Sequence, residues 1–129
     1  IKLGSLTPKI DVTYVEDTVR AFEMMLSNKK INGEVINIGT GFEIQIKNLA
    51  NLIAKCCGKN IKFISDKQRI RPLNSEVNRL LWDNKKAKKI LKWTPKYSKL
   101  KGLELGLKDT IDWIKNNSDN SYKDQKYIK

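Results

Sequence analysis

The stretch Arg69-Ile70-Arg71-Pro72-Leu73-Asn74-Ser75-Glu76-Val77-Asn78-Arg79-Leu80 gathers the side chains best suited to chemistry. The chain has four arginines, and three lie in this window; its 22 lysines are spread over most of the rest. Arginine offers a planar fork of donors that matches phosphate or carboxylate, whereas lysine is a point charge. Pro72 fixes its own φ and keeps Arg71 extended, out of any helix. Glu76 places an acceptor a few residues beyond the cations. A cation and an acceptor at short range suit an anionic ligand that also carries hydroxyls, such as a nucleotide or a sugar phosphate. The competing reading is a surface ion pair of Glu76 with Arg71 or Arg79, which stabilises little. The residues alone leave both open.

The elements that would position this loop follow from periodicity. At 129 residues the chain is long enough for one domain. It opens on Ile1 in mid-pattern, as expected of a piece of a longer protein. Residues 2–10 read as a loop and 11–15 as a short β-branched strand. Asp17 is placed to cap a helix whose core stripe is Val15, Val19, Phe22 and Leu26. After the Asn32-Gly33 turn, 34–39 is nearly continuous in apolar residues, as in a buried parallel strand. Gly39 and Gly41 bracket a tight turn and lack the G-x-G-x-x-G pattern of a phosphate cradle. Leu49, Leu52, Ile53 and Cys56 mark the next helix, ended by Gly58. A strand at 61–64 leads into the arginine loop. A short helix capped by Asp83 or Asn84 turns Ala87, Ile90 and Leu91 inward. The last helix, about 98–116, carries Leu100, Leu103, Leu107, Ile111 and Ile114. Residues 118–129 read as a mobile polar tail. The order βα, βα, β, loop, αα predicts an α/β fold.

Composition narrows the chemistry. The chain contains no histidine, which removes His-based general bases, Ser-His triads and the usual zinc sites from this stretch. Cys56 and Cys57 are adjacent, lack C-x-x-C spacing and are expected to be reduced thiols of a cytoplasmic protein. No apolar run approaches the ~20 residues that span a membrane. The formal charge of +12 raises nucleic acid as a partner. Against that, the excess is lysine spread over several helices, without a stripe of interleaved aromatics. A compositional bias toward Lys, Asn and Ile accounts for the charge better, and nucleic acid is not the expected partner.

With these residues in place, the chain resembles the C-terminal part of extended short-chain dehydrogenase/reductases that act on nucleotide sugars. The resemblance covers nearly all of residues 1–117. It rests on Asp11-Val12-Thr13-Tyr14-Val15-Glu16-Asp17, Gly33-Glu34-Val35-Ile36-Asn37-Ile38-Gly39-Thr40-Gly41, and Arg71-Pro72 with Ser75-Glu76-Val77. Asp83-Asn84-Lys85-Lys86-Ala87, Trp93-Thr94-Pro95, Gly106-Leu107 and Trp113 follow in order. Ser75 to Leu80 most resembles the 4,6-dehydratase branch, of the type making 4-keto-6-deoxy hexosamines for sugars such as legionaminic acid. The resemblance implies the C-terminal substrate-binding portion, residues 1–117, of an extended Rossmann-type dehydrogenase. A helix at Asp17 and a strand at 35–38 would complete the Rossmann sheet. NAD would be bound by an N-terminal part upstream of Ile1, together with the catalytic Tyr-x-x-x-Lys pair. It further implies that Arg71 grips the diphosphate, that Glu76 bonds the ribose hydroxyls, and that Arg69 and Arg79 are secondary contacts.

No catalytic, cofactor-binding or metal residue is expected within these 129 residues, and the piece alone is expected to be inactive. Tyr97-x-x-x-Lys101 and Tyr122-x-x-x-Lys126 match the catalytic pattern only by lysine abundance. Expected partners are a nucleotide-diphosphate sugar, the protein's own N-terminal Rossmann part and, when intact, a second subunit. The function so implied is a 4,6-dehydratase acting on a nucleotide-activated N-acetylhexosamine, with a 4-epimerase as the alternative. A basic nucleic-acid module or a non-catalytic relic is the alternative from another class. Three departures stand out. Ile10 replaces an arginine usual before the strand Asp, and neighbouring Lys9 offers only a point charge. Lys92 replaces the glycine usual before Trp93. About four residues extend the segment between Ser98 and Gly106, just over one helical turn.

Overall fold

The first helix carries two opposed faces, and the larger apolar one points away from the rest of the chain. In the computed structural model, which describes residues 1–70, 72, 75 and 77–117, this helix (α1) spans Val15–Leu26. The polar tail expected at 118–129, with Tyr122 and Lys126, lies outside the described residues. The buried residues of α1 are Asp17 and Ala21. The expected core stripe lies outside: Val15 is 62%, Val19 50%, Phe22 60% and Leu26 88% exposed. The two sets sit roughly 200° apart on a 3.6-residue helix. The physical reason is Asp17. It does not cap the helix, which starts two residues earlier from an extended Tyr14 with no side-chain cap. Its carboxylate instead accepts the backbone N–H groups of Lys96 (2.8 Å) and Tyr97 (2.9 Å) and a bond from Arg20 Nη2 (2.5 Å). That network pulls the polar face inward.

The strands of the described residues form two small sheets. Strand β1 (Lys2–Leu3) pairs in parallel with β4 (Ile64–Ser65). Strand β2 (Lys9–Asp11) is central in the second sheet. It runs antiparallel to β3 (Glu43–Gln45) and parallel to β5 (Arg79–Leu80). The strand expected at 11–15 therefore lies earlier, at 9–11, because Asp11 turns the chain by bonding the 40–41 turn. The strand expected at 61–64 is confined to its end, where a backbone partner exists. Segment 34–39 joins no ladder among the described residues.

Among the described residues three more α-helices follow: α2 (Ile46–Cys56), α3 (Lys85–Leu91) and α4 (Lys99–Asn117). Gly58 closes α2 in the left-handed region at φ 63°, as expected of a C-terminal glycine. Lys92 adopts the same region at φ 58° after α3, where a side chain costs more than glycine would. Asp83 Oδ1 accepts the Lys85 N–H at 2.9 Å, so it begins α3, while Asn84 Nδ2 reaches the Gly39 carbonyl at 2.8 Å.

The core has two centres. One joins Ala21, Ala87, Leu91 and fully buried Trp93, with Met24, Met25, Ile36 and Ile38 against them. The other joins Ile44, Leu52 and Leu103, with Val12, Phe42, Leu49 and Leu107. Along α4 the expected stripe is only partly inward: Leu103 is buried, but Leu100 and Ile114 are half-exposed. Cys56 is half-buried and Cys57 exposed, and neither forms a disulfide. No helix among the described residues is long and apolar enough to cross a membrane.

Candidate functional site

The arginine loop is clamped at both ends by backbone pairing. At its start, β4 lies beside β1, and the Asp66 N–H donates to the Leu3 carbonyl at 2.7 Å. Asp66 Oδ1 then accepts the Gln68 N–H at 3.1 Å and opens a 3₁₀ turn over Lys67–Arg69. Arg69 Nε lies 3.6 Å from Asp66 Oδ2. Gly4 packs so tightly here that a Cβ on it would sit 2.4 Å from the Arg69 carbonyl oxygen. At the far end, the Lys9 N–H donates to the Asn78 carbonyl at 3.0 Å, and β5 joins β2. Between the clamps, Ser75 donates from both N–H (2.9 Å) and Oγ (3.0 Å) to the Pro72 carbonyl. Arg71 and Glu76, the two principal candidates, lie outside the described residues.

Of the secondary candidates, Arg79 joins a charged rim on the three-stranded sheet. Its Nε donates to Glu43 Oε2 at 2.5 Å, while Lys9 Nζ lies 3.7 Å from Glu43 Oε1. The Arg79 hydrogen bond, aided by the Arg79 and Lys9 charges, holds the Glu43 carboxyl below the usual carboxylate range. Glu43 thus stays ionised and orients both cations. Beside this rim opens a groove of about 610 Å³. Its floor includes Phe42, Ile44 and Leu52; Gln45, Asn48, Asn51 and Lys55 offer amide and ammonium groups around it. The groove can bind anions and hydroxyls. It presents no nucleophile or general base poised for chemistry. Ile10 sits between Ile44 and Leu80 in the sheet register, where an arginine is usual in the resembling family.

Two carboxylates that periodicity did not single out hold this framework together. Asp11 is 7% exposed and accepts three bonds: Thr40 N–H (3.1 Å), Thr40 Oγ1 (2.6 Å) and Gly41 N–H (2.8 Å). The Thr40 and Gly41 N–H groups of this turn are therefore already occupied by a carboxylate and are not free to cradle a pyrophosphate. The residues present do not fit NAD at this turn. Asp17 is the second such anchor. A sequence signal existed for both, since each is an aspartate embedded in an apolar or β-branched run, where burial demands partners.

Tyr97 is committed elsewhere. Its hydroxyl donates to Glu16 Oε2 at 3.0 Å, and its ring lies 4.4 Å from that of Tyr14. The hydrogen bond to Glu16, then burial and nearby acidic charge, push its pKa up to about 12. A catalytic tyrosine base needs the opposite shift. Because the folded pKa lies above the unfolded value near 10, the contact stabilises the fold below about pH 10 and is lost as pH rises toward 12. Glu16→Gln is expected to bring the Tyr97 titration back toward 10, read by ultraviolet absorbance of tyrosinate. An unmoved titration would mean that the hydrogen bond is absent in solution.

Comparison with known proteins agrees with this arrangement. A family profile described as GDP-mannose 4,6 dehydratase matches residues 1–105. A putative UDP-glucose 4-epimerase of Methanocaldococcus jannaschii is 36% identical over 108 residues, covering 84% of this chain and 32% of that protein. The crystal structure of UDP-glucuronic acid 4-epimerase from Bacillus cereus, with UDP-glucuronic acid and NAD, superposes with a TM-score of 0.77 at 31% identity. That match covers 91% of this chain and 35% of that one. The dTDP-glucose 4,6-dehydratase of Bacillus anthracis, in complex with NAD, gives 0.71 at 27% identity over 90% of this chain and 34% of that one. The chain thus spans about a third of the length of the relatives it matches. Profile, relatives and superposed structures agree: the chain belongs to the GDP-mannose 4,6 dehydratase family, within the NAD-dependent epimerases and dehydratases of the extended short-chain dehydrogenase/reductase fold.

Proposed function

We propose that this chain is the substrate-side portion of a nucleotide-sugar 4,6-dehydratase, a lyase of carbohydrate biosynthesis, acting on a nucleotide-activated N-acetylhexosamine. What carries the reading is the Arg79–Glu43–Lys9 rim on β5, the strand that closes the segment begun by β4. In that segment Arg71 holds the diphosphate, a charge-assisted and bidentate contact. Glu76 accepts from the vicinal ribose hydroxyls. Arg79, oriented by Glu43, adds positive potential, and Arg69 lies further along the loop. In this reading the chain by itself turns over nothing, because the Tyr-x-x-x-Lys pair and the NAD site that the resemblance implies lie outside it. NAD held by the portion that the chain does not cover would supply the hydride acceptor and donor for a reaction in which C4 is oxidised, water is lost across C5 and C6, and C6 is reduced.

A second reading, 4-epimerase, is favoured by the names of the Methanocaldococcus jannaschii and Bacillus cereus relatives. There the hydride returns to C4 of a turned-over 4-keto sugar. Proton NMR of the product separates the two. A new C6 methyl doublet is expected; a retained hydroxymethyl group with inversion at C4 makes the enzyme an epimerase.

The loop role has its own test. In a protein carrying both portions, Arg71→Ala is expected to weaken sugar-nucleotide binding ~10- to 100-fold through loss of a charge-assisted phosphate contact. Lys85→Ala, whose ammonium lies 3.5 Å from exposed Asp83, is expected to leave binding unchanged. Equal affinities, measured by calorimetry, would remove Arg71 from the site.

A further inference from the structure

A further concavity, of about 630 Å³, opens beside the N-terminal half of α4 and shares no lining residue with the groove next to the Arg79–Glu43–Lys9 rim. Four exposed lysines line it: Lys96, Lys99, Lys101 and Lys108. The carboxylate among them is Glu104, already shared by Lys108 at 3.1 Å and Lys55 at 3.6 Å. Lys96, Lys99 and Lys101 have no carboxylate within ion-pair distance among the described residues. Like charges drawn together repel, so the fold carries an unmatched positive field here. Lys101, Leu105 and Lys108 recur at i, i+4 and i+7, on the side of α4 opposite buried Leu103 and Gly106. Leu105 is 52% exposed between the two lysines. The lengthened segment between Ser98 and Gly106 supplies Lys99, Lys101 and Leu105, so this wall stands outside the pattern of the resembling family.

We propose that this concavity docks an acidic segment of a partner protein, whose carboxylates pair with the four lysines and whose apolar side chain covers Leu105. Charge complementarity selects the occupant. The cations are all lysines, whereas reading one phosphate bidentately favours the planar fork of arginine. Ammonium groups on flexible stems suit carboxylates spread along a chain. Lys101 and Lys108 lie two helical turns apart, about 10 Å, a span that residues i and i+3 of an extended segment cover at about 3.3 Å each. The surface is concave with an apolar side chain on its wall, which fits a peptide better than a flat layer of lipid headgroups. No aromatic side chain lines it for stacking of nucleic-acid bases. Each exposed ion pair contributes little alone, so the site acts through their number and weakens with salt. The proposal does not depend on which sugar reaction the protein catalyses.

The test titrates a fluorescein-labelled peptide of glutamate and leucine with a protein carrying both portions, read by fluorescence anisotropy. Saturable binding is expected, lost when glutamine replaces the glutamates and weakened as salt rises. Lys99→Gln with Lys101→Gln is expected to weaken it about tenfold. Lys88→Gln with Lys89→Gln, an equal loss of charge at exposed positions of α3, is expected to change it less than about twofold. All four lysines are exposed, so both double variants are expected to melt with the parent. Absence of saturable binding overturns the proposal. An equal loss in the two double variants does so too, since the attraction is then one of net charge. A large drop in melting temperature on replacing Lys99 and Lys101 also overturns it, by making these lysines part of the fold. Phosphatidylserine vesicles and a DNA duplex are titrated in the same way. If either binds more tightly than the peptide and loses affinity only when Lys99 and Lys101 are replaced, the occupant is a membrane or a nucleic acid, and the acidic segment is overturned.

Discussion

Replacing Asp17 with alanine is expected to destabilise the chain by ~3–5 kcal/mol, the range for removing one partner of a buried charge network. Asp17 is fully buried within the first turn of α1. Three donors converge on its carboxylate: Lys96 N–H, Tyr97 N–H and Arg20 Nη2. Its own backbone carbonyl accepts Trp93 Nε1 at 3.0 Å. Alanine leaves two N–H groups without their partner, at about 1–3 kcal/mol for each one shielded from water. It also releases Arg20, which otherwise bonds the Thr94 carbonyl at 2.6 Å and lies 5.8 Å from the centre of the Trp93 ring. The isosteric Asp17→Asn is expected to recover little, since an amide places a donor against donors. Urea unfolding followed by tryptophan fluorescence measures this, and a midpoint shift of about 2 M is expected for a chain this size. A loss under ~1 kcal/mol would mean that α1 is not held by this carboxylate.

Asp11→Ala carries the second largest expected loss, ~2–4 kcal/mol. Asp11 ends the central strand β2 and holds the 39–41 turn by three bonds. Thr40 is itself 8% exposed, and its Oγ1 also bonds Phe42, donating to the carbonyl (3.2 Å) and accepting from the N–H (3.1 Å). Removing the carboxylate therefore strands two N–H groups at once and leaves the buried hydroxyl only its longer bonds to Phe42. The expected loss is below that for Asp17 because Gly41 is exposed and water can reach its N–H. Asp11→Asn is expected to recover part of the loss, since one oxygen can still accept. The same urea experiment decides it. A near-neutral Asp11→Ala would place the turn under other control and reopen it as an anion site.

The α/β class, the helix at 85–91 with Ala87 and Leu91 inward, the stop at Gly58 and the family were all legible in the sequence. Each depends on local pattern or on residues that stand in a fixed order. Apolar spacing also marked α1 correctly as a helix. It could not say which way the stripe faced, because periodicity reports that a helix has an apolar side and not what covers it. Only the tertiary structure showed Val15, Val19, Phe22 and Leu26 outside and Asp17 inside. Burial of a carboxylate is decided by donors nearly 80 residues away, at Lys96 and Tyr97, beyond any local window.

The same holds for strands. Residues 34–39 read as a strand from composition, but a ladder needs a neighbour, and the described chain provides none. Conversely, β1 and β5 are two-residue pairings inside segments that read as loops, made by backbone partners distant in sequence. The arginine window was visible from residue type alone. Its suspension between two sheets, and the orientation of Arg79 by Glu43 36 positions away, came from the fold. The reason is general to this chain: side-chain chemistry is written residue by residue, whereas burial and pairing are properties of two segments at once.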